Sequence, residues 1–459
     1  MSSFPTSKSN KEIIATLHHH RSTLFSFEKE DRVILGAVFS NYMTALNRAA
    51  QVIRNVTNIK TNHTILLKSP IDSYLIKPVS DTCNLRCTYC YEGEKVIRKN
   101  GKMPLSLLEP LTKQIIDISH DKITISWHGG EPMLRGIDFF KKALFYQNKY
   151  NKKDLTIINS IQSNGTLLTN EWIEFILLHN IKIGISVDGP LLLHDKSRID
   201  SNNKGTYNKV KESIKALQQR GINPGIISVI QPHHIGNAKL YFEGIVKLGI
   251  RNLDVHPSFG FHGPSDPTTI TAKQFSNFMI ELFELWLAFG DHTIRIRAFD
   301  EFFKGYLGEK PVVCHNNGGC SKILAINANG EVIPCTRPFH DKEYIFGNLY
   351  STSLHEIIQS SKWKNFVQNE ISGQNLSSDC KWKSICYGGC PQHRYSDNQQ
   401  DINSSNYFCS CRNKDESGFG QLWSHMLCRT DSIISNLNEK HLDCLVQTYD
   451  NRYNQKVTP

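Results

Sequence analysis

No stretch of about 18 consecutive apolar residues, the length a helix needs to cross a membrane, occurs in the 459-residue chain. The most apolar helical stretch, Phe278 to Phe289, is broken by Glu281 and Glu284, so no membrane partner is expected. The opening residues, among them Ser7, Lys8, Lys11 and Glu12, lack the apolar centre of a secretory signal. The expected compartment is therefore the reducing cytoplasm, where 13 cysteines at uneven, clustered spacing read as ligands rather than disulfides. Clustered positive charge is also missing. The net charge of +10 is modest for this length, and no basic patch is interleaved with aromatics, so no nucleic-acid partner is expected. Such a surface can still attract an acidic peptide. No acid–base pair stands out, and no catalytic residue is named from the sequence.

What is present is the composition of an ordinary soluble protein, 39% hydrophobic and 21% charged, long enough for two or three domains. Residues 1–72 carry apolar positions at helical spacing from Val33 to Ile53 and read as an N-terminal helical region. Residues 73–269 alternate strand and helix. Strands are expected at Tyr74–Val79, Ile123–Trp127, Leu155–Gln162, Ile181–Val187, Gly225–Ile230 and Asn252–Val255. Helices are expected between them, for example at Leu107–Ser119, Asn170–His179, Tyr207–Gln219 and Ala238–Leu248. Such βα units imply an α/β fold with a parallel sheet, here a partial six-unit barrel with its site at the carboxyl ends of the strands. Residues 270–313 form a helical bridge, 314–411 a cysteine-rich region of short strands and turns, and 412–459 a tail with an amphipathic stretch from Leu422 to Val446.

The chain is organised around Cys83-Asn84-Leu85-Arg86-Cys87-Thr88-Tyr89-Cys90, just after the first expected strand. Thiolates are soft ligands for iron–sulfur clusters and zinc, so a zinc knuckle or half a disulfide framework is the competing reading. Three cysteines leave a 4Fe–4S cluster one ligand short. The spacing, three residues then two with an aromatic before the last cysteine, resembles the signature of radical S-adenosylmethionine (SAM) enzymes. That resemblance implies a cluster whose open iron binds SAM and, when reduced, cleaves it to a 5'-deoxyadenosyl radical.

Small polar motifs follow the later strands. Trp127-His128-Gly129-Gly130-Glu131-Pro132 follows the second, and its glycines allow close backbone approach to a ligand. It resembles the family's motif for the SAM amino group, with Glu131 or backbone carbonyls as acceptors. Gln162-Ser163-Asn164-Gly165-Thr166 follows the third strand, with short side chains suited to ribose hydroxyls. Ser186-Val187-Asp188-Gly189-Pro190 and His194-Asp195-Lys196-Ser197-Arg198 follow the fourth. They resemble a pair in peptide-modifying radical SAM enzymes whose serine and arginine meet the SAM ribose and carboxylate, the arginine as a bidentate clamp.

The distal cysteines, Cys314, Cys320, Cys335, Cys380, Cys386, Cys390, Cys409 and Cys411, resemble the SPASM extension, which binds two auxiliary 4Fe–4S clusters. The resemblance assigns Cys314, Cys320, Cys335 and Cys390 to the first. The family has a cysteine three residues before the position of Cys380, where this chain has Ser377. The second cluster is therefore expected on Cys380, Cys386, Cys409 and Cys411. Cys428 and Cys444 read as plain thiols.

Sulfatase maturases share the spacing of the first SPASM cysteines, but carry an aspartate after the cysteine matched by Cys335. Here that residue is Thr336. The chain resembles more closely the maturases of ribosomally made peptides that crosslink side chains, the darobactin type included. The implied partners are a precursor peptide and a reductant such as flavodoxin or ferredoxin. Formylglycine formation and non-catalytic electron transfer remain the alternatives. His233, His234, His256 and His262 are candidate pocket residues, and the N-terminal helices with the barrel edge are the candidate leader-binding surface.

Overall fold

A computed structural model describes residues 33–34, 36–37, 71–92, 101–259, 263–336, 342–375, 380–395, 406–409 and 417–436. Six parallel strands form its centre in sequential order: β1 (Ser73–Ile76), β2 (Lys122–Trp127), β3 (Thr156–Ser163), β4 (Lys182–Ser186), β5 (Gly225–Ile230) and β6 (Asn252–Pro257). Helices α1 (Leu105–Ile118), α2 (Ile137–Tyr150), α3 (Asn170–Leu178), α4 (Tyr207–Gln219) and α5 (Ala238–Lys247) connect them. β1 and β6 do not pair with each other, so the sheet stays open as in a partial barrel.

The period-two geometry of a strand separates its two faces. One face carries Tyr74, Ile76, Ile123, Ile125, Trp127, Ile183, Ile185, Ile226 and Ile230, all buried in the core. The other carries Ser126, Ser160, Gln162, Ser186 and His256, all half-buried. On that face Ser126 Oγ lies 2.8 Å from Ser160 Oγ, and Gln162 donates to Ser186 Oγ at 3.1 Å. A sheet with a polar inner face is built to hold something in its hollow.

The sheet does not stop at the barrel. β7 (Arg295–Ile296) adds in parallel to β6, and β8 (Ile323–Ile326) adds in parallel to β1, followed by antiparallel β9 (Glu331–Ile333) and β10 (Gly347–Asn348). The cysteine-rich region thus shares one ten-stranded sheet with the barrel. β1 would otherwise present an open edge of unpaired backbone groups, and Lys77 N donates to Ile326 O at 2.9 Å just past its end. That region also contains a long helix, α8 (Ser361–Asn375), besides short strands and turns.

Helix α6 (Ala272–Phe289) begins in a Thr271–Gln274 capping box and ends at Gly290 in the left-handed region. Helix α7 (Arg297–Tyr306) follows it. The tail helix α9 (Phe419–Asn436) packs on α6, with Ser276 Oγ donating to Gln421 at 2.7 Å and Glu284 accepting from Arg429 at 3.0 Å. Of the expected N-terminal helices, Val33, Ile34 and Ala37 are buried and helical, and the remaining positions lie outside the described residues. Among the described residues no helix is long and apolar enough to cross a membrane.

Candidate active site

The cysteine loop is fastened on two sides. Arg86 N donates to Ile199 O at 2.8 Å and Thr88 N to Ser197 O at 3.0 Å, so the loop lies along the segment after β4. Asn84 donates to Thr166 at 2.8 Å and accepts from Asn164 at 2.9 Å, which ties it to the end of β3. Cys83, Cys87 and Cys90 all face one cavity of about 260 Å³. Leu85 N and Asn164 Nδ2 point at Cys83 Sγ at 3.4 and 3.6 Å. Burial, with the neighbouring thiols adding to it, pushes Cys83 and Cys87 up to about 12 and Cys90 to about 11. The bare protein therefore holds thiols, and a metal must displace their protons.

Gly129 and Gly130 form the facing wall. Both have positive φ, and a Cβ on Gly130 would stand 2.0 Å from Thr82 O. Only glycine lets this backbone close on the cysteine loop. Glu131 lies behind that wall, fully buried, accepting from Met133 N at 3.0 Å, Ser163 Oγ at 3.0 Å and Asn164 N at 2.7 Å. Its oxygens hold the glycine loop to the end of β3 rather than lining the cavity. Burial, only partly offset by those bonds, raises its carboxyl to about 7. Pro132 opens the short helical turn behind the wall.

Ser163, Asn164, Ser186 and Arg198 line the cavity, and Asp188 does not. Asp188 is buried and accepts from Arg198 Nε at 2.8 Å and Nη2 at 3.2 Å. Tyr89, the aromatic of the cysteine motif, donates to the same carboxylate at 2.7 Å, and its ring sits 5.4 Å from the Arg198 guanidinium. Asp188 thus joins the cysteine loop, β4 and the arginine. His194 is spent inside the fold, accepting from Asp188 N and bonding Thr206.

His256 lines the cavity, whereas His233 and His234 bond the carbonyls of Leu193 and Asp188 and belong to the scaffold. His262, like Ser377 and Cys411, lies outside the described residues. His256 Nε2 lies 3.3 Å from Asp254 Oδ1, and Arg297 holds the other oxygen at 2.8 Å. Burial alone would raise Asp254, but His256 and Arg297 hold it well below the usual carboxylate range. The His256 ring meets that of His315, next to Cys314, at 5.6 Å.

Sequence reasoning did not single out Tyr91, Glu92, Phe259 and Gln392, which complete the cavity with Thr336. Thr336 lies beside Tyr91, and Glu92 is paired with Lys77 at 2.6 Å. Residues beside Cys335 and Cys390 therefore reach the same hollow as the first cysteine loop. The distal cysteines fall into two sets. Cys320, driven well up by burial, is raised further by Glu370, Cys314, Cys390 and Cys335. Cys386, raised by burial to about 12, feels Cys409 and Cys380.

The Radical SAM superfamily model matches residues 78–236, and the iron–sulfur cluster-binding SPASM model matches residues 314–391. A cysteine-type anaerobic sulfatase-maturating enzyme of Clostridium novyi (strain NT) is 32% identical over 346 residues, covering 73% of this chain and 92% of the relative. The chain belongs to the radical SAM superfamily. A serine-type sulfatase-maturating enzyme of Bacteroides thetaiotaomicron is 31% identical over 377 residues, 77% of this chain and 88% of that protein. Among solved structures, native anSMEcpe with bound AdoMet superposes with a TM-score of 0.71 at 25% identity, covering 79% of this chain and 99% of that one. Streptococcus suis SuiB bound to its precursor peptide SuiA shares the fold, with a TM-score of 0.56 at 13% identity over 82% and 91% of the chains.

This radical SAM enzyme takes S-adenosylmethionine and iron–sulfur clusters as cofactors. The residues fit them. The loop presents three cysteine sulfurs to the cavity, the facing glycine pair has a backbone that a Cβ would push off the cysteine loop, and a buried arginine stands at the cavity edge.

Proposed function

We propose that this radical SAM enzyme modifies a ribosomally made peptide, joining two of its side chains by a carbon–carbon or ether bond at an aromatic residue. When bound, the SAM–cluster pair supplies hydrogen-atom abstraction from an unactivated C–H bond. Cys83, Cys87 and Cys90 would hold that cluster, and the backbone of Gly129 and Gly130 the SAM amino group. Ser163, Asn164 and Ser186 would meet the ribose, and Arg198, oriented by Asp188, the carboxylate. Glu131 and Pro132 shape the cradle from behind. Cys314, Cys320, Cys335 and Cys390 would hold one auxiliary cluster, and Cys380, Cys386, Cys409 and Cys411 another. The electron donor would be a flavodoxin or ferredoxin.

Thr336 carries the choice of product. The sulfatase maturases have a carboxylate at this place to take the proton of a serine or cysteine, whereas here Thr336 lines the cavity beside Tyr91. The group placed to take a proton is His256, which lines the cavity with its Nε2 3.3 Å from Asp254 Oδ1. After two side chains join by a carbon–carbon bond, the ring carbon must lose one proton and one electron. His256 would take the proton, and an auxiliary iron–sulfur cluster, held by Cys314, Cys320, Cys335 and Cys390, would supply the oxidising equivalent.

The test is anaerobic incubation with SAM, dithionite and two peptide sets, one rich in Trp and Tyr and one of the Cys or Ser sulfatase type. Loss of two hydrogens with two residues linked in the fragment spectrum is expected from the first set. A hydrazide-reactive aldehyde from the second would establish formylglycine formation instead, the reading favoured by the 32% identity to the Clostridium enzyme.

A further inference from the structure

Arg394 is one of the largest fully buried side chains in the protein, at 1% exposure. It lies between the two distal cysteine sets. Its Nη1 donates to Gly388 O at 3.0 Å and Gly389 O at 3.3 Å, in the short loop that joins Cys386 of one set to Cys390 of the other. Its guanidinium lies across Gly373 of α8, where a Cβ would stand 2.6 Å from Nη2 and 2.7 Å from Cζ. The charges it feels come from both sets, Cys390 and Cys320 on one side and Cys386 on the other, with Glu370 beside them. Glu370 is equally buried and accepts from Cys320 N and Ser321 N, each at 3.1 Å. A buried cation with no route to water is costly to keep unless anionic groups lie near it.

We propose that Arg394 is a shared positive charge that raises the reduction potential of the iron–sulfur groups held by both distal cysteine sets. The inference rests on reading those cysteines as cluster ligands. Reduction adds one negative charge to a group already anionic through its thiolates. A fixed cation in a medium of low polarity stabilises the reduced form more than the oxidised one. Glu370 sits against Cys320 and partly cancels the effect at the first set. Among the described residues Glu370 bonds the backbone of the first set, so the second set responds more strongly.

The experiment uses the full chain carrying Cys83→Ala, Cys87→Ala and Cys90→Ala, reconstituted anaerobically so that iron resides at the distal cysteines. Potentials are read by redox titration with electron paramagnetic resonance. Arg394→Gln is expected to keep its iron and to shift the reduction equilibrium about tenfold toward the oxidised form, or 59 mV for one electron, with the larger shift at the second signal. Arg394→Lys keeps the charge but loses the paired carbonyl bonds, and stays within about threefold of the parent. Gly373→Ala displaces the guanidinium and gives a shift in the direction of the Gln variant. An iron-loaded Arg394→Gln protein with unmoved potentials overturns the proposal. If that variant loses its iron, Arg394→Lys decides: potentials near the parent support the charge, and potentials displaced by more than tenfold refute it. A parent that binds no iron at the distal cysteines overturns the ligand reading itself, a separate result.

Discussion

Asp188 and Arg198 form a buried pair in which neither carboxylate oxygen is left over. Oδ2 accepts Arg198 Nε at 2.8 Å and Tyr89 Oη at 2.7 Å, and Oδ1 accepts Arg198 Nη2 at 3.2 Å and Val229 N at 2.9 Å. One side chain thus fixes the cysteine loop, the arginine at the cavity edge and the adjoining strand β5.

Asp188→Asn should therefore damage more than one contact. Removing one partner of a buried ion pair leaves the other uncompensated, at a cost of about 3–5 kcal/mol. Burial alone would raise the Asp188 carboxyl, but Arg198 and then His194 hold it below its ordinary value. Its contribution is present above the ordinary carboxylate range and is lost as pH falls below it. A lower melting temperature at neutral pH is expected, with SAM affinity reduced about tenfold or more in anaerobic equilibrium dialysis. An Asn variant matching the parent in both would show the pair to be dispensable.

Glu131 has the opposite sign. With its carboxyl raised to about 7 by burial, the folded protein prefers the neutral form. Its contribution is complete below about pH 4.5 and is lost as pH rises to about 7, a span worth about 3 kcal/mol. Denaturant titrations of the metal-free protein across this window should fall more steeply for the parent than for Glu131→Gln. Parallel curves would show that the carboxyl titrates normally.

Much of this was readable from the sequence because parallel strands and turn motifs are local signals. Helix Tyr207–Gln219 and strand Gly225–Ile230 lie where the pattern puts them. The motifs at the ends of β2, β3 and β4 converge because the strands are parallel and in order. What was not readable depends on packing across long separations. Glu131 and Asp188 occur in motifs that read as ligand contacts, yet both turn away to hold their neighbours, since their burial is set by other elements. The pairing of β8 with β1 joins residues about 250 positions apart, and a four-residue strand carries no mark of its partner.

Gly130→Ala tests the cradle. The backbone there has φ of 50°, and the added Cβ would meet a carbonyl oxygen, an atom that cannot swing aside. The glycine loop would have to withdraw from the cysteine loop, breaking the Glu131 N to Thr82 O bond of 2.9 Å. A loss of SAM binding of at least tenfold is expected, with the distal iron content unchanged. Full binding by this variant would remove the loop from the SAM site.

Cys409 is placed by its neighbour. Phe408 is fully buried among Phe259, Phe275, Phe419 and His393, with rings 5.1 to 6.2 Å apart. Its amide donates to Asn406 Oδ1 at 2.8 Å, and Cys409 N donates to Asn406 O at 2.9 Å. This turn holds the thiol near Cys380 and Cys386. Cys409→Ala should lose about one cluster's worth of iron, and Cys411→Ala should match it if both sulfurs ligate. Cys428→Ala, an exposed position on α9, should lose none. Phe408→Ala should cost about 3–5 kcal/mol through the cavity it leaves and should lower the same iron indirectly. Iron and sulfide quantitation after anaerobic reconstitution separates these cases, and undiminished iron in the Cys409 variant would move the second set's ligation elsewhere.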